Sequence, residues 1–136
     1  VLIMNLFNWD SRFETGISDV DYQHRKLVGM INELHNAMME GKARDELSSL
    51  LARLQEYTVY HFRTEEELMK DGKYPETKEH VKQHSDFIIR VQDLFRRFEK
   101  GEYMISLETN EFLKEWLQGH ILSTDRDMGE YLRANK

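Results

Sequence analysis

The stretch HFRTEEELMK, residues 61–70, sets a histidine four places before the first of three consecutive glutamates. In an α-helix, residues four apart share a face, so His61 and Glu65 project together. Glu66 and Glu67 are rotated from Glu65 by roughly 100° and 200°, which turns both towards solvent. Upstream, Leu47, Leu50, Leu54 and Tyr57 fall at helical spacing, and Leu68 continues the pattern. The spacing predicts a helix over about 43–70, closed by Asp71-Gly72, with an imidazole and a carboxylate set into its apolar stripe.

Three further stretches have the same periodicity. One runs over about 19–39 with Val20, Leu27, Val28, Ile31, Leu34 and Met38 on one stripe, and Gly41 as its stop. Another runs over about 75–100, with Pro75 in the first turn and Val81, Phe87, Ile88, Val91, Leu94 and Phe98 inward. The last covers about 106–132, capped by Ser106, with Leu113, Trp116, Leu117 and Ile121 inward. No stretch alternates as a strand does. Short connections make neighbouring helices antiparallel, so the predicted fold is all-α, an up-down-up-down four-helix bundle in a single domain over 1–136. Residues 1–18 precede it as an irregular arm whose Phe7, Trp9 and Phe13 are expected to pack over one end.

Composition narrows the function. The 136 residues suit one domain, 32% are charged, and a single proline permits long helices. A net charge of −6 argues against a nucleic-acid binder, which needs a cationic surface. There is no cysteine, which excludes disulfides and thiolate metal sites. No apolar run approaches a membrane span, and the opening VLIMNLFNW lacks a basic leader. The expected setting is cytoplasmic, although a first residue of valine allows the chain to be a piece of a longer one.

Six histidines occur, and five of them, His24, His61, His80, His84 and His120, lie on the inward stripes. Each alone reads as an ordinary core histidine. Burying five imidazoles and Glu65 without partners would cost on the order of 1–3 kcal/mol per group, and a shared metal is one destination for all those lone pairs. His35 is nearly in phase with His24 but lies roughly 16 Å further along the axis, so it is assigned to the bundle end with no metal role.

His24, HFRTE at 61–65, HVKQH at 80–84 and HILSTD at 120–125 together resemble the hemerythrins, bacteriohemerythrins in particular. The likeness extends to the WD pair at 9–10, DYQH at 21–24 and WLQGHI at 116–121. It implies two iron ions in a non-haem di-iron centre. One would be held by His80, His84 and His120 and the other by His24 and His61. Glu65 and Asp125 would bridge them, with an oxo or hydroxo group as third bridge. The three-histidine iron is then coordinatively full, and its neighbour keeps one open position. The implied function is reversible dioxygen binding, as carrier or store and not as an enzyme, with azide or similar small anions able to take the same place. No nucleic-acid or membrane partner is expected.

Imidazole and carboxylate donors suit iron. Ferritin-like di-iron oxidases use Glu-x-x-His pairs, and no such pair stands on these inner faces. Leu27, Phe62, Phe87, Trp116, Leu117 and Ile121 are expected to wall the site. The step from His120 to Asp125 is about 140° out of phase in a regular α-helix, so the fourth helix is predicted to widen, bulge or end there. Met128 stands where bacterial relatives often carry tyrosine, and is expected to fill that space as an apolar plug. Two other readings use the same centre: an oxygen- or redox-sensing input domain of a longer signalling protein, and a peroxide or nitric oxide reductase.

Overall fold

The computed structural model describes residues 7–42, 44–102 and 105–135, with backbone alone over 105–107. A 3-10 turn, Ser11–Phe13, leads into α1 (Ser18–Met39), α2 (Arg44–Asp71), α3 (Thr77–Glu99), α4 (Ile105–Gly119) and α5 (Arg126–Ala134). A π-helical segment, His120–Asp125, joins α4 to α5 without a break. The described residues contain no strand. α1 packs on α2, α2 on α3, α3 on α4, and α4 back on α1. This is the four-helix bundle expected from the periodicity. No described helix is long and apolar enough to cross a membrane.

The helix ends follow local chemistry. Gly41 takes φ 68°, and the N–H groups of Lys42 and Gly41 donate back to Ala37 and Met38. That is a Schellman close, and the positive φ explains the glycine. α2 stops at Asp71 as expected, but the left-handed residue is Lys73 (φ 53°), two places on. Gly72 serves packing instead, since a Cβ there would collide with the Leu132 side chain. Pro75 lies before α3, not in its first turn. It occupies the second position of a turn closed by Thr77 N–H donating to the Tyr74 carbonyl (3.2 Å), where its fixed φ fits. The expected starts at Ala43 and at a Ser106 cap fall on a residue and a side chain outside those described.

The arm departs from its expected place. It runs lengthwise against α1, because polar side chains of that helix partner its backbone. Asn32 accepts from Phe7 N–H (2.9 Å) and donates to the Phe7 carbonyl (2.8 Å). Eleven residues back, buried Asp21 accepts from the Thr15 N–H (2.7 Å), the Thr15 hydroxyl (2.8 Å) and the Gly16 N–H (3.1 Å). An irregular segment has no ladder for its backbone donors, so these side chains supply the partners. Phe7 and Phe13 thereby enter the main core. Where the arm meets α5, Gly129 leaves room: a Cβ there would lie 2.6 Å from the Thr15 carbonyl oxygen.

The buried apolar residues form two bodies. The larger holds Leu27, Val28, Ile31, Phe62, Phe87, Leu113, Leu117 and Ile121 among others. The smaller holds Val20, Met69 and Met128, all fully buried. Met128 therefore fills space as an apolar side chain. On α1, α2 and the α4–α5 run, the residues between the two bodies are His24, Glu65 and Asp125, so a polar layer divides the core.

Candidate metal centre

Each helix contributes to this layer from its inward face. His24 follows Val20 by one turn on α1, His61 and Glu65 are a turn apart on α2, and His80 and His84 are a turn apart on α3. His120 and Asp125 stand at the two ends of the π segment. A five-residue step overshoots an α-helical turn, and a π turn with its i→i+5 hydrogen bonds brings such a pair into line. The widening expected from sequence is therefore present, and both side chains face the same centre. His120 is 5% exposed and the other six donors 0–1%.

The two carboxylates are shared between two groups of imidazoles. Glu65 Oε1 lies 3.2 Å from His80 Nε2 and 3.0 Å from His84 Nε2, while its Oε2 lies 3.1 Å from His24 Nε2 and 2.9 Å from His61 Nε2. Asp125 repeats the division: Oδ1 is 3.0 Å from both His80 Nε2 and His120 Nε2, and Oδ2 is 3.0 Å from His24 Nε2. Two overlapping donor sets result, Glu65, His80, His84, His120 and Asp125 in one, His24, His61, Glu65 and Asp125 in the other. Within each set the ligand atoms lie within 4.8 Å of one another.

Side-chain hydrogen bonds account for only part of this convergence, joining Glu65 to His24, His80 and His84. His61 Nε2, His120 Nε2 and both Asp125 oxygens are buried with no hydrogen-bond partner, although they crowd within 3.0 Å of opposite groups. Atoms aimed at a common point, at contact distance but without the alignment a shared proton needs, fit cations between them. The donor chemistry, imidazole with carboxylate and no sulfur, suits several first-row transition metals, iron included.

The electrostatics point the same way. Burial alone would push His24 and His80 down, but the carboxylates of Asp125 and Glu65 outweigh it and lift both to about 9. Burial and the neighbouring Glu65 would raise Asp125, yet the imidazoles of His120 and His24 hold its carboxyl far below the usual range. Glu65 is likewise held well below that range, its burial outweighed by His61, His24 and His80. The pocket favours anionic carboxylates facing positive charge.

The outer ring nitrogens have their own partners. Gln23 Oε1 stands 2.8 Å from His61 Nδ1, and Gln83 Oε1 stands 2.9 Å from His120 Nδ1. Gln83 also accepts from the Thr124 hydroxyl (2.8 Å), tying both ends of the π segment to α3. Glu66 Oε2 stands 2.9 Å from His84 Nδ1, so Glu66 is half-buried at the edge of the inner face and not turned wholly outward; Glu67 is exposed as expected. Rotation by 100° leaves Glu66 beside α3, within its side chain's reach. Phe62 stacks on His84 (3.8 Å between centroids, 5° between planes) and Trp116 on His120 (4.3 Å, 14°), which fixes the ring planes.

Sequence reasoning missed Gln23, Gln83 and Thr124. A signal was present: a glutamine directly precedes a site histidine in both DYQH and VKQH, rotated towards the neighbouring helix. Beside the polar layer lies a void of about 10 Å³ lined by Leu27, Ile31, Leu54, Thr58, Phe62, Phe87, Leu113 and Leu117. Four of the six expected wall residues line it. Trp116 lies outside, against His120, and Ile121 is buried in the main core. His35 is remote from the site, next to Asn110 (3.4 Å).

These features define a metal-binding four-helix bundle protein. The profile of the hemerythrin HHE cation binding domain matches residues 15–132, and the chain belongs to the hemerythrin family. It is 38% identical over 117 residues to a bacteriohemerythrin of Pseudomonas aeruginosa (strain LESB58), covering 86% of this chain and 75% of that one. It is 32% identical over 132 residues to the bacteriohemerythrin of Methylococcus capsulatus (strain Bath), covering 96% of this chain and 100% of that one. A crystal structure of wild-type hemerythrin superposes with a TM-score of 0.87 at 31% identity, covering 93% of this chain and 98% of the other.

Proposed function

We propose that this protein binds dioxygen reversibly at a non-haem di-iron centre, as a cytoplasmic carrier or store. The observation that carries the reading is the division of Glu65 and Asp125, each with one oxygen at either imidazole group. His80, His84 and His120 would hold one iron, His24 and His61 the other, and both carboxylates would bridge. Two irons so held would supply a pair of electrons and one open position to the gas. With imidazoles split three to two, that position would fall on the side of His24 and His61.

The chain's other residues support binding over turnover. Leu27, Thr58 and Leu117, each three places from a site histidine, line the void, so it lies about one helical turn from the polar layer. Its lining is apolar apart from Thr58, whose hydroxyl already donates to the Leu54 carbonyl (2.7 Å). No general acid or base stands in that lining to drive a proton transfer. An apolar void of about 10 Å³, at the lower bound for one water, has no room for a hydrated substrate. The test is metal analysis with absorption spectra through an anaerobic, aerobic and second anaerobic stage. Two irons per chain and a visible band that appears with oxygen and vanishes without it are expected. An irreversible change, or a single metal per chain, would overturn the reading.

A further inference from the structure

Three of the five imidazoles have a partner on the outer nitrogen, and the partners differ in charge. His61 and His120 face the neutral amides of Gln23 and Gln83. His84 faces the carboxylate of Glu66 at 2.9 Å. His24 Nδ1 and His80 Nδ1 have no hydrogen-bond partner. The only carboxylate on an outer ring nitrogen among the described residues thus sits in the group His80, His84 and His120. The two-histidine group has an amide alone.

We infer that Glu66 is the positioning residue that makes the His80–His84–His120 site the more oxidisable of the pair, by holding the His84 Nδ1–H against a negative charge. This rests on the di-iron reading above. A hydrogen bond to a charged acceptor is roughly twice as strong as one to a neutral acceptor. It moves electron density through the ring to Nε2 and raises the basicity of that ligand atom. A more basic donor favours the metal with the higher charge, so losing one electron from this site becomes easier. The Glu66 side chain is 38% exposed while His84 is 1% exposed. Solvent therefore screens the carboxylate partly, though the short contact through the buried ring is retained. The stacked Phe62 ring keeps the imidazole plane fixed, so the acceptor's charge can change without the ring swinging away.

Two opposite substitutions separate this electronic role from a structural one. Glu66→Gln removes the charge and keeps the shape. Gln83→Glu adds a charge to the corresponding nitrogen of His120, in the same group. The readout is the midpoint potential of the iron-loaded full chain, titrated with soluble one-electron mediator dyes that take up or give the electron. Glu66→Gln is expected to disfavour the oxidised state about tenfold, which is about 59 mV upward for a one-electron couple. Gln83→Glu should move the potential downward, and the double variant should return towards the parent value. Uptake of two zinc ions by each variant checks that the site still assembles, and Gln83→Glu carries the test alone if Glu66→Gln does not load. A parent chain with a reversible iron pair whose potential ignores both substitutions, or moves the same way with both, overturns this inference and leaves the function standing. A parent chain that takes up no iron pair overturns both.

Discussion

Stripping the metal should remove a large part of the protein's stability. The magnitude follows from the inward atoms that have no hydrogen-bond partner: His61 Nε2, His120 Nε2, Asp125 Oδ1 and Asp125 Oδ2. At about 1–3 kcal/mol for each buried unpaired group, four such atoms cost roughly 4–12 kcal/mol once the cations leave. A domain of this size has a total stability of only about 5–15 kcal/mol. Protons taken up by His24 and His80 offset part of the loss, so the lower end is the safer figure. For a chain of this length each kcal/mol moves the melting temperature by roughly 3–4 °C, and the metal-free protein should melt at least about 10 °C below the loaded one. Calorimetric or circular dichroism melts before and after chelation, at matched pH and salt, measure this directly. A metal-free protein that melts within about 3 °C of the loaded form would show that the layer is self-sufficient.

The pH dependence of that gap has a definite sign. In the metal-free chain His24 and His80 are raised to about 9 from an ordinary value of 6.5. Groups raised on folding stabilise fully below their unfolded pKa, and the contribution is lost as pH climbs through the folded value. Glu65 and Asp125 are depressed, so their contribution is present above their unfolded values near 4 and is lost in acid. The metal-free protein should therefore be most stable between about pH 4.5 and 6.5 and weaken steadily towards pH 9. Metal binding displaces protons from the same imidazoles and strengthens over that range. The melting gap should widen from pH 6.5 to 9, and a gap that narrows would refute the assignment of protons to these two rings.

Other substitutions test the site piece by piece. Glu65→Gln should abolish uptake of a metal pair, with at most one ion bound per chain by metal analysis, whereas Glu67→Gln on the exposed side should load like the parent. Gln23→Leu and Gln83→Leu each leave a ring N–H without its acceptor, and should weaken metal affinity by about 10–100-fold in competition with a chelator while the helical content is unchanged. Gly129→Ala drives a methyl group into the Thr15 carbonyl; urea titration should show a loss of about 1–3 kcal/mol, with faster proteolysis of the arm.

The bundle was legible because each helix carries an apolar stripe of helical period, and helical period is a local property of the chain. The convergence of seven polar side chains was legible for the same reason: each helix sets its polar residues into that stripe, and the His120–Asp125 offset ruled out a regular α-helix between them. The arm was misplaced because its position depends on Asn32 and Asp21, two polar residues of α1 whose partners lie in an irregular segment with no period to read. Pro75 was misassigned by a residue or two, since a turn position and a first-turn position demand the same φ.

The polar partners of the imidazoles were the hardest to foresee, for a physical reason. They depend on rotation about the axis of one helix relative to its neighbour, and a 100° step decides whether a side chain meets water or the next helix. Glu66 and Glu67 are adjacent in sequence and alike in chemistry, yet one reaches His84 and the other does not. The stripe thus fixes which residues can approach a metal, while the packing angle between helices fixes the charge behind each ligand. The first determines that two cations fit. On the di-iron reading the second would govern how readily each iron gives up an electron, so relatives sharing all seven donors would still differ in redox behaviour through positions such as 66 and 83.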